Sequence, residues 1–369
     1  MTLIRALGRF FMISLGNLFF RSRQQPLNAE QRQRIRKLLV ILPVGIGDVI
    51  MVTPALRALR RAFPHATIDA IGNRWSIDIL EGNPHLNHLM VNDSLYGRHS
   101  LLDFCHKAKN YRGYDCAVVF SYFTLPLFAF FCGCKIRVGP FMGSEGFALT
   151  HKTRFYSGLH VVDLFLRVVG LLGARTDDTR LELFDYRQQK RNDALVGLCV
   201  GGGKNPLSTL AQKKWPAASY AELCRSLLGR GFALVFFGGK DDVRDTEHVI
   251  SLLGTNHKKK ILNRVGSTTL KEAASILSGC RVFISGDSAL MHLAAAVGAP
   301  TLSLFGPTDP CMLAPRGKEH AYLASPTRCS GCQLPSYEFV AVCRNSGHIQ
   351  DISISDVLDK LRGLHARSS

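Results

Sequence analysis

The chain has 369 residues, 46% hydrophobic and 20% charged, a composition that excludes wholesale disorder and suffices for two domains of ordinary size. Forty-six basic against 28 acidic residues give a formal charge of +18, which implies an anionic partner: a nucleotide sugar, a phosphorylated glycolipid, an acidic membrane or a nucleic acid. Eleven cysteines in a chain of this size do not form a small secreted disulfide framework and fit a reducing compartment, and no apolar run reaches the length of a membrane span.

Residues 1–37 form a basic amphipathic segment. Arg5, Arg9, Arg21, Arg23, Arg32, Arg34, Arg36 and Lys37 face one acid, Glu30, and alternate with Leu3, Ile4, Leu7, Phe10, Phe11, Leu15, Leu18, Phe19 and Phe20. An interfacial helix would bury those apolar groups among acyl chains and set its arginines on anionic headgroups. The alternatives are a signal peptide, which lacks a small-x-small cleavage site before Arg21, and a helix docked on the protein itself.

From residue 38 onward, strand-like and helix-like stretches alternate twice over, the pattern of two doubly wound α/β domains. Residues 38–190 form the first. A strand at 38–42 and the turn Pro43-Val44-Gly45-Ile46-Gly47 lead to Asp48 and a helix through 61. Further strands are predicted at 67–71, 88–91, 115–120 and 135–138, and a helix at 160–172. Arg57, Arg60 and Arg61 read as a solvated basic helix face. The polar stretch 177–192 is the linker.

Residues 191–350 form the second domain, with strands at 195–200 and 232–237 and a helix at 217–228 between them. The strand at 281–284 stops at Ser285-Gly286. A helix over 288–297 puts Leu290, Leu293, Ala294 and Val297 on one face and Ser288 and His292 on the other. A strand at 301–305 runs into Gly306-Pro307-Thr308-Asp309-Pro310. A last helix, within 351–369, is expected to return to the first half.

These elements frame two candidate sites. A helix N-terminus exposes unpaired N–H groups and the positive end of its dipole, so Asp287, Ser288 and Ala289, with His292 one turn on, read as a diphosphate site. Asp287 and Ser288 could equally be plain caps, and His292 an exposed helix histidine. Gly201, Gly202 and Gly203, with Lys204, could bring backbone N–H groups to the same phosphates. Gly45-Ile46-Gly47 partly imitates a dinucleotide fingerprint, with Asp69 at about the ribose-binding distance, which makes a nicotinamide-dependent oxidoreductase the rival reading. Ile50 stands where the third glycine belongs, however, and Asp48 would face the pyrophosphate. A carboxylate there is better explained as a base, or as a cap.

The run LLVILPVGIGDVIMVTPALRALRRAFP, with DSALMHLAAAVGAP followed by LFGPTDP, resembles glycosyltransferase family 9, which contains the lipopolysaccharide heptosyltransferases. The resemblance spans about residues 38–310 and implies two Rossmann-like domains facing across a cleft, the GT-B arrangement. By the same resemblance Asp48 is the catalytic base, Lys213, two residues before Trp215-Pro216, meets the donor diphosphate with Ser288, Ala289 and His292, and Asp287 lies in the sugar-nucleotide pocket. Lys214 is the adjacent alternative to Lys213. Asp241, after Gly238-Gly239, is a weaker nucleotide candidate, with Gly47, Gly202 and Thr308 as secondary ones. Ala289 departs from the signature, where glycine is usual, so an inactive binding relative is a further reading.

The implied donor is ADP-heptose. The implied acceptor is the lipid-linked, phosphorylated inner core of lipopolysaccharide at the cytoplasmic face of the inner membrane of a Gram-negative bacterium. No Asp-x-Asp triplet offers a divalent clamp for the diphosphate, so metal-independent transfer with no cofactor is expected. Nucleic acid is not expected as a partner, because no reader motif is present. Cys329, Cys332, Cys343 and His348 have a spacing that could hold a structural zinc.

Overall fold

A computed structural model describes residues 26–95, 101–121, 125–141, 144–156, 158–202, 204–205, 208–209, 213–254, 258–325 and 348–365. The chain divides into two compact units, 1–179 and 180–369.

The first unit is built on a six-stranded parallel sheet of order β3-β2-β1-β4-β5-β6, with β1 Lys37–Ile41, β2 Thr67–Gly72, β3 His88–Val91, β4 Cys116–Val119, β5 Ile136–Phe141 and β6 His151–Arg154. Central strands of such a sheet are covered on both faces and read as continuous apolar runs. The four residues of β1 after Lys37 and all of β4 are accordingly buried. The short, polar β6 gave no such signal.

The helix Ile46–Ala62 follows β1 and is buried from Val49 through Leu59, packed against the helix Val161–Gly170. Pro54 lies inside it. Proline cannot donate to the carbonyl of Ile50 four residues back. The Thr53 hydroxyl donates to that carbonyl instead, at 2.7 Å.

The basic N-terminal segment falls into two parts. Residues 1–25 lie outside the described residues. Beyond them the helix Ala29–Gln33 starts with a reciprocal Asn28/Gln31 capping box, Leu27 and Ile35 are buried, and the Leu27 N–H donates to the Leu171 carbonyl. The stretch from Leu27 to Lys37 therefore belongs to the first unit's body.

The arginine face is not simply solvated. Arg57 is 4% exposed, with Nη2 at 2.9 Å from the Asp178 carboxylate. Arg60 donates to the Ala66 and His85 carbonyls and to Asn87 Oδ1. Arg61 alone of the three is mostly exposed.

The second unit repeats the topology as β11-β10-β7-β12-β13-β14, with β7 Asn192–Cys199, β10 Ala233–Phe236, β11 Ile261–Asn263, β12 Cys280–Gly286, β13 Thr301–Phe305 and β14 His320–Ala324. A separate hairpin pairs β8 Lys204–Asn205 with β9 Ser208–Thr209. Trp215, Tyr220, Leu227, Phe236, Ile284 and Leu304 contribute to the core.

The final helix, Ile354–His365, packs against β14 and the helix Ala217–Gly229. Val357, Leu361 and Leu364 enter the second unit's core, and Trp215 Nε1 donates to the Ile352 carbonyl at 3.0 Å. The apolar face of this helix is thus absorbed by its own unit. Among the described residues, no helix is long and apolar enough to cross a membrane.

Candidate active site

In an open parallel sheet, ligands bind beyond the carboxyl ends of the strands where the strand order reverses. In the first unit that point lies between β1 and β4, and Asp48 follows β1 directly. Gly45 is the N-cap of Ile46–Ala62, which places Gly47 and Asp48 in the first helical turn rather than Asp48 at the cap itself. The Asp48 carboxylate folds back over the turn: a β-carbon on Gly45 would lie 2.7 Å from Asp48 Oδ2, so a side chain there would have to displace the carboxylate. Asn73, at the carboxyl end of β2, braces the loop by donating to the Val44 carbonyl at 3.1 Å.

The rival dinucleotide reading needs an acid at the carboxyl end of β2. Asp69 sits instead three residues before that end, buried, with Oδ1 2.8 Å from His88 Nδ1 and Oδ2 accepting from the Tyr114 hydroxyl at 2.7 Å. It is tied into the sheet and is no ribose ligand.

In the second unit the order reverses between β7 and β12, and three segments meet there. Gly201-Gly202 leaves β7, Asp287-Ser288 leaves β12, and the segment carrying Lys213 passes beside them. Gly202 has φ +108°, and a β-carbon on it would lie 3.3 Å from the Ser288 β-carbon. A β-carbon on Gly286 would lie 2.9 Å from the Lys213 carbonyl oxygen.

Lys213, 5% exposed, pairs through Nζ with Asp287 Oδ2 at 2.6 Å. The Thr308 hydroxyl donates to the same oxygen at 2.8 Å. Burial by itself would raise the Asp287 carboxyl; the Lys213 charge and hydrogen bond, the Thr308 hydroxyl and His292 outweigh it and hold the group below its ordinary value. His292 is 3% exposed, which removes the exposed-histidine reading.

Ser288 is the N-cap of Ala289–Ala296, yet its side chain makes no capping hydrogen bond. Asn28, Asn73, His160, Thr269 and Asp309 all cap their helices. The plain-cap reading of Ser288 therefore fails, and the first-turn N–H groups carry no side-chain cap, the arrangement that receives an anion.

The remaining candidates separate. Lys214 turns away from Lys213 to pair with Asp245 at 2.5 Å. Asp241 is exposed, whereas Asp242, which the sequence reading passed over, accepts the N–H of Gly202 at 3.1 Å and of Gly239 at 2.9 Å. The expectation that Gly202 gives its N–H to a phosphate is corrected, because that N–H is taken by Asp242. Two adjacent aspartates after a glycine pair were visible in the sequence, but nothing local distinguishes which one turns inward. Cys329, Cys332 and Cys343 lie outside the described residues, as does the side chain of His348. Among the described residues no group of three or more metal-ligating side chains occurs.

Residues 167–338 match the profile of glycosyltransferase family 9 (heptosyltransferase). Lipooligosaccharide heptosyltransferase 2 of Haemophilus ducreyi is 27% identical over 77% of this chain and 87% of its own. The chain is thus similar to glycosyltransferase family 9 over 172 of its 369 residues, and to lipopolysaccharide and lipooligosaccharide heptosyltransferases over most of its length. Lipopolysaccharide heptosyltransferase 2 of Escherichia coli K12 is 26% identical over 74% of this chain and 84% of its own. Among solved structures, a family 9 glycosyltransferase from Veillonella parvula superposes with a TM-score of 0.75 at 23% identity, covering 92% of this chain and 99% of that one. The E. coli ADP-heptose lipopolysaccharide heptosyltransferase II gives 0.69 at 23% identity, covering 90% and 99%. The chain is accordingly a glycosyltransferase with two α/β units of GT-B type.

Proposed function

We propose that the protein is an inverting heptosyltransferase that moves heptose from ADP-heptose to a hydroxyl of the lipopolysaccharide inner core, without a divalent metal. The observation that carries this reading is the uncapped helix start at Ser288-Ala289 beside the buried Lys213, Asp287 and His292, at the strand-order reversal of the second sheet. The relatives' names supply the donor and acceptor class: both heptosyltransferases 2 act on lipo-oligosaccharide or lipopolysaccharide, and the E. coli structure is named for ADP-heptose.

In this reading Asp48 takes the proton of the acceptor hydroxyl. The acceptor oxygen attacks the anomeric carbon from the face opposite the leaving group, and the bond from that carbon to the diphosphate oxygen breaks with both electrons going to ADP. Lys213, His292 and the N–H groups at Ala289 would stabilise the developing diphosphate charge. Asp287 would hold Lys213 in place. A fixed, paired lysine that needs no reorganisation is what electrostatic stabilisation of a leaving group requires. A lipid-linked, phosphorylated acceptor would account for the +18 charge and for the basic amphipathic residues 1–25, which we propose hold the enzyme on the anionic cytoplasmic face of the inner membrane.

The test is turnover of ADP-heptose with truncated lipopolysaccharide acceptors, with and without EDTA. Full activity in EDTA is expected. Thermal stabilisation by NAD but not by ADP would overturn the reading.

A further inference from the structure

Asp242 joins two turns at the carboxyl edge of the second sheet. One is Gly201-Gly202 after β7; the other is Gly238-Gly239 after β10, the neighbouring strand. Oδ1 accepts the Gly202 N–H at 3.1 Å and Oδ2 accepts the Gly239 N–H at 2.9 Å. The carboxylate occupies space that any side chain at the turns would need: a β-carbon on Gly201 would stand 2.0 Å from Asp242 Oδ1, and one on Gly238 would stand 2.9 Å from the Asp242 β-carbon. Gly202, held this way at φ +108°, is the residue that lies against Ser288. Beneath them the Cys199 thiol is pushed up to about 12, by burial first and by the Asp242 charge second. It is a neutral floor, not a nucleophile.

Two charge-assisted hydrogen bonds from one carboxylate to two loops fix both in one register. Without them the Gly201-Gly202 turn has no side chain of its own to hold it, and glycine is the residue with most conformational freedom to lose.

We infer that Asp242 is a positioning residue for the donor site: by receiving both glycine N–H groups it sets the turn that packs on Ser288, and so shapes the wall of the pocket that takes the nucleoside diphosphate. The inference rests on the proposed donor-binding role of the second unit. Asp242 acts through Gly202 and Ser288, not on the donor itself.

The test uses the full chain with Asp242→Asn, Asp242→Ala, Gly201→Ala and the double variant Gly201→Ala/Asp242→Ala. Asparagine keeps the volume but has only one acceptor oxygen, so Asp242→Asn is expected to weaken ADP binding, measured by calorimetry, and to raise the ADP-heptose KM by about 10-fold, with kcat within about 2-fold. In the ligand-free protein, amide exchange in peptides covering 198–202 and 236–242 is expected to quicken. Gly201→Ala should weaken ADP binding at least as much as Asp242→Ala. In the double variant the methyl group enters the space the carboxylate has left, so the two losses should not add. Unchanged ADP affinity and KM in Asp242→Asn overturn the inference, as do additive losses in the double variant. A fall in kcat and melting temperature with KM unchanged also overturns it, because that is the signature of a structural role alone. If the wild-type protein binds no ADP, the proposed function fails instead, and exchange in 198–202 and 236–242 still decides whether Asp242 pins the two turns.

Discussion

Lys213 and Asp287, 74 residues apart, form a buried ion pair of 2.6 Å at the carboxyl edge of the second sheet, and Thr308 donates to the same carboxylate oxygen. The lysine is therefore held in place by a buried carboxylate.

Replacing Lys213 by methionine removes one member of this pair and leaves a buried carboxylate behind, a change that costs about 3–5 kcal/mol. The expected outcome is a lower urea midpoint together with a loss of kcat/KM of about 100-fold or more, in line with removal of one donor to a developing oxyanion. Lys214→Met, which breaks a half-exposed pair with Asp245, should change stability by no more than about 1 kcal/mol and leave turnover near normal.

Asp287 gives the pair a pH signature. Its carboxyl is held below its ordinary value, so the unfolded state binds the proton more tightly than the folded state and the contribution to stability grows as pH rises. That contribution is complete above the unfolded carboxyl value of about 4 and is lost as pH falls from there through the folded value. Urea midpoints of wild type and Asp287→Asn should differ by a constant amount from pH 5 to 7 and converge on further acidification. A gap that widened below pH 4 would contradict the assignment.

Asp48→Asn keeps the shape of the first turn and removes the basic oxygen. General-base catalysis is worth about 100- to 10,000-fold, so kcat should fall within that range while ADP affinity, measured by calorimetry, stays the same, since the role proposed for Asp48 is toward the acceptor hydroxyl and not toward ADP. Near-normal turnover in this variant would remove Asp48 from the mechanism.

Gly286→Ala places a methyl group 2.9 Å from the Lys213 carbonyl oxygen, which is backbone and cannot swing aside. The Lys213 segment must shift. ADP affinity is expected to fall by about 10-fold with a destabilisation of about 1–3 kcal/mol, the usual range for overpacking. Calorimetry and thermal melting check the two parts separately.

Arg57 offers a control in the first unit. Truncation to alanine removes the 2.9 Å partner of the part-buried Asp178 carboxylate and should destabilise the protein by about 3 kcal/mol, whereas Arg61→Ala, largely exposed and 3.9 Å from the same carboxylate, should cost less than about 1 kcal/mol. Chemical denaturation of the two variants gives the comparison directly.

Much of the fold could be read from local sequence. β1, β2, β3, β4, β7, β10, β12 and β13 fall within a few residues of the apolar, β-branched runs that predict them, and the helices at Ile46–Ala62, Val161–Gly170, Ala217–Gly229 and Ala289–Ala296 follow the 3.6-residue period. β6, β11 and β14 went unread. All three are outer strands, with polar or partly exposed residues such as Lys152, Asn263 and Tyr322, so the burial that writes an apolar run into a sequence is missing. Within the site, the chemical types at Asp48, Lys213, Ser288 and His292 stood out, because glycine turns and helix starts are local features.

Partnership was not legible. The sequence by itself determined two rounds of strand, turn and helix, and put an acid after the first strand and a serine at the start of a short helix. Only the tertiary structure decided that Lys213 is paired with Asp287, that Asp242 rather than Asp241 ties two glycine turns together, that Asp69 serves the sheet, and that the last helix stays with the second unit. The physical reason is common to all four. Periodicity records which residues are buried, through contacts a few positions apart. Which buried charge meets which depends on how strands 40 or more residues apart are ordered in the sheet, and no short-range pattern carries that order.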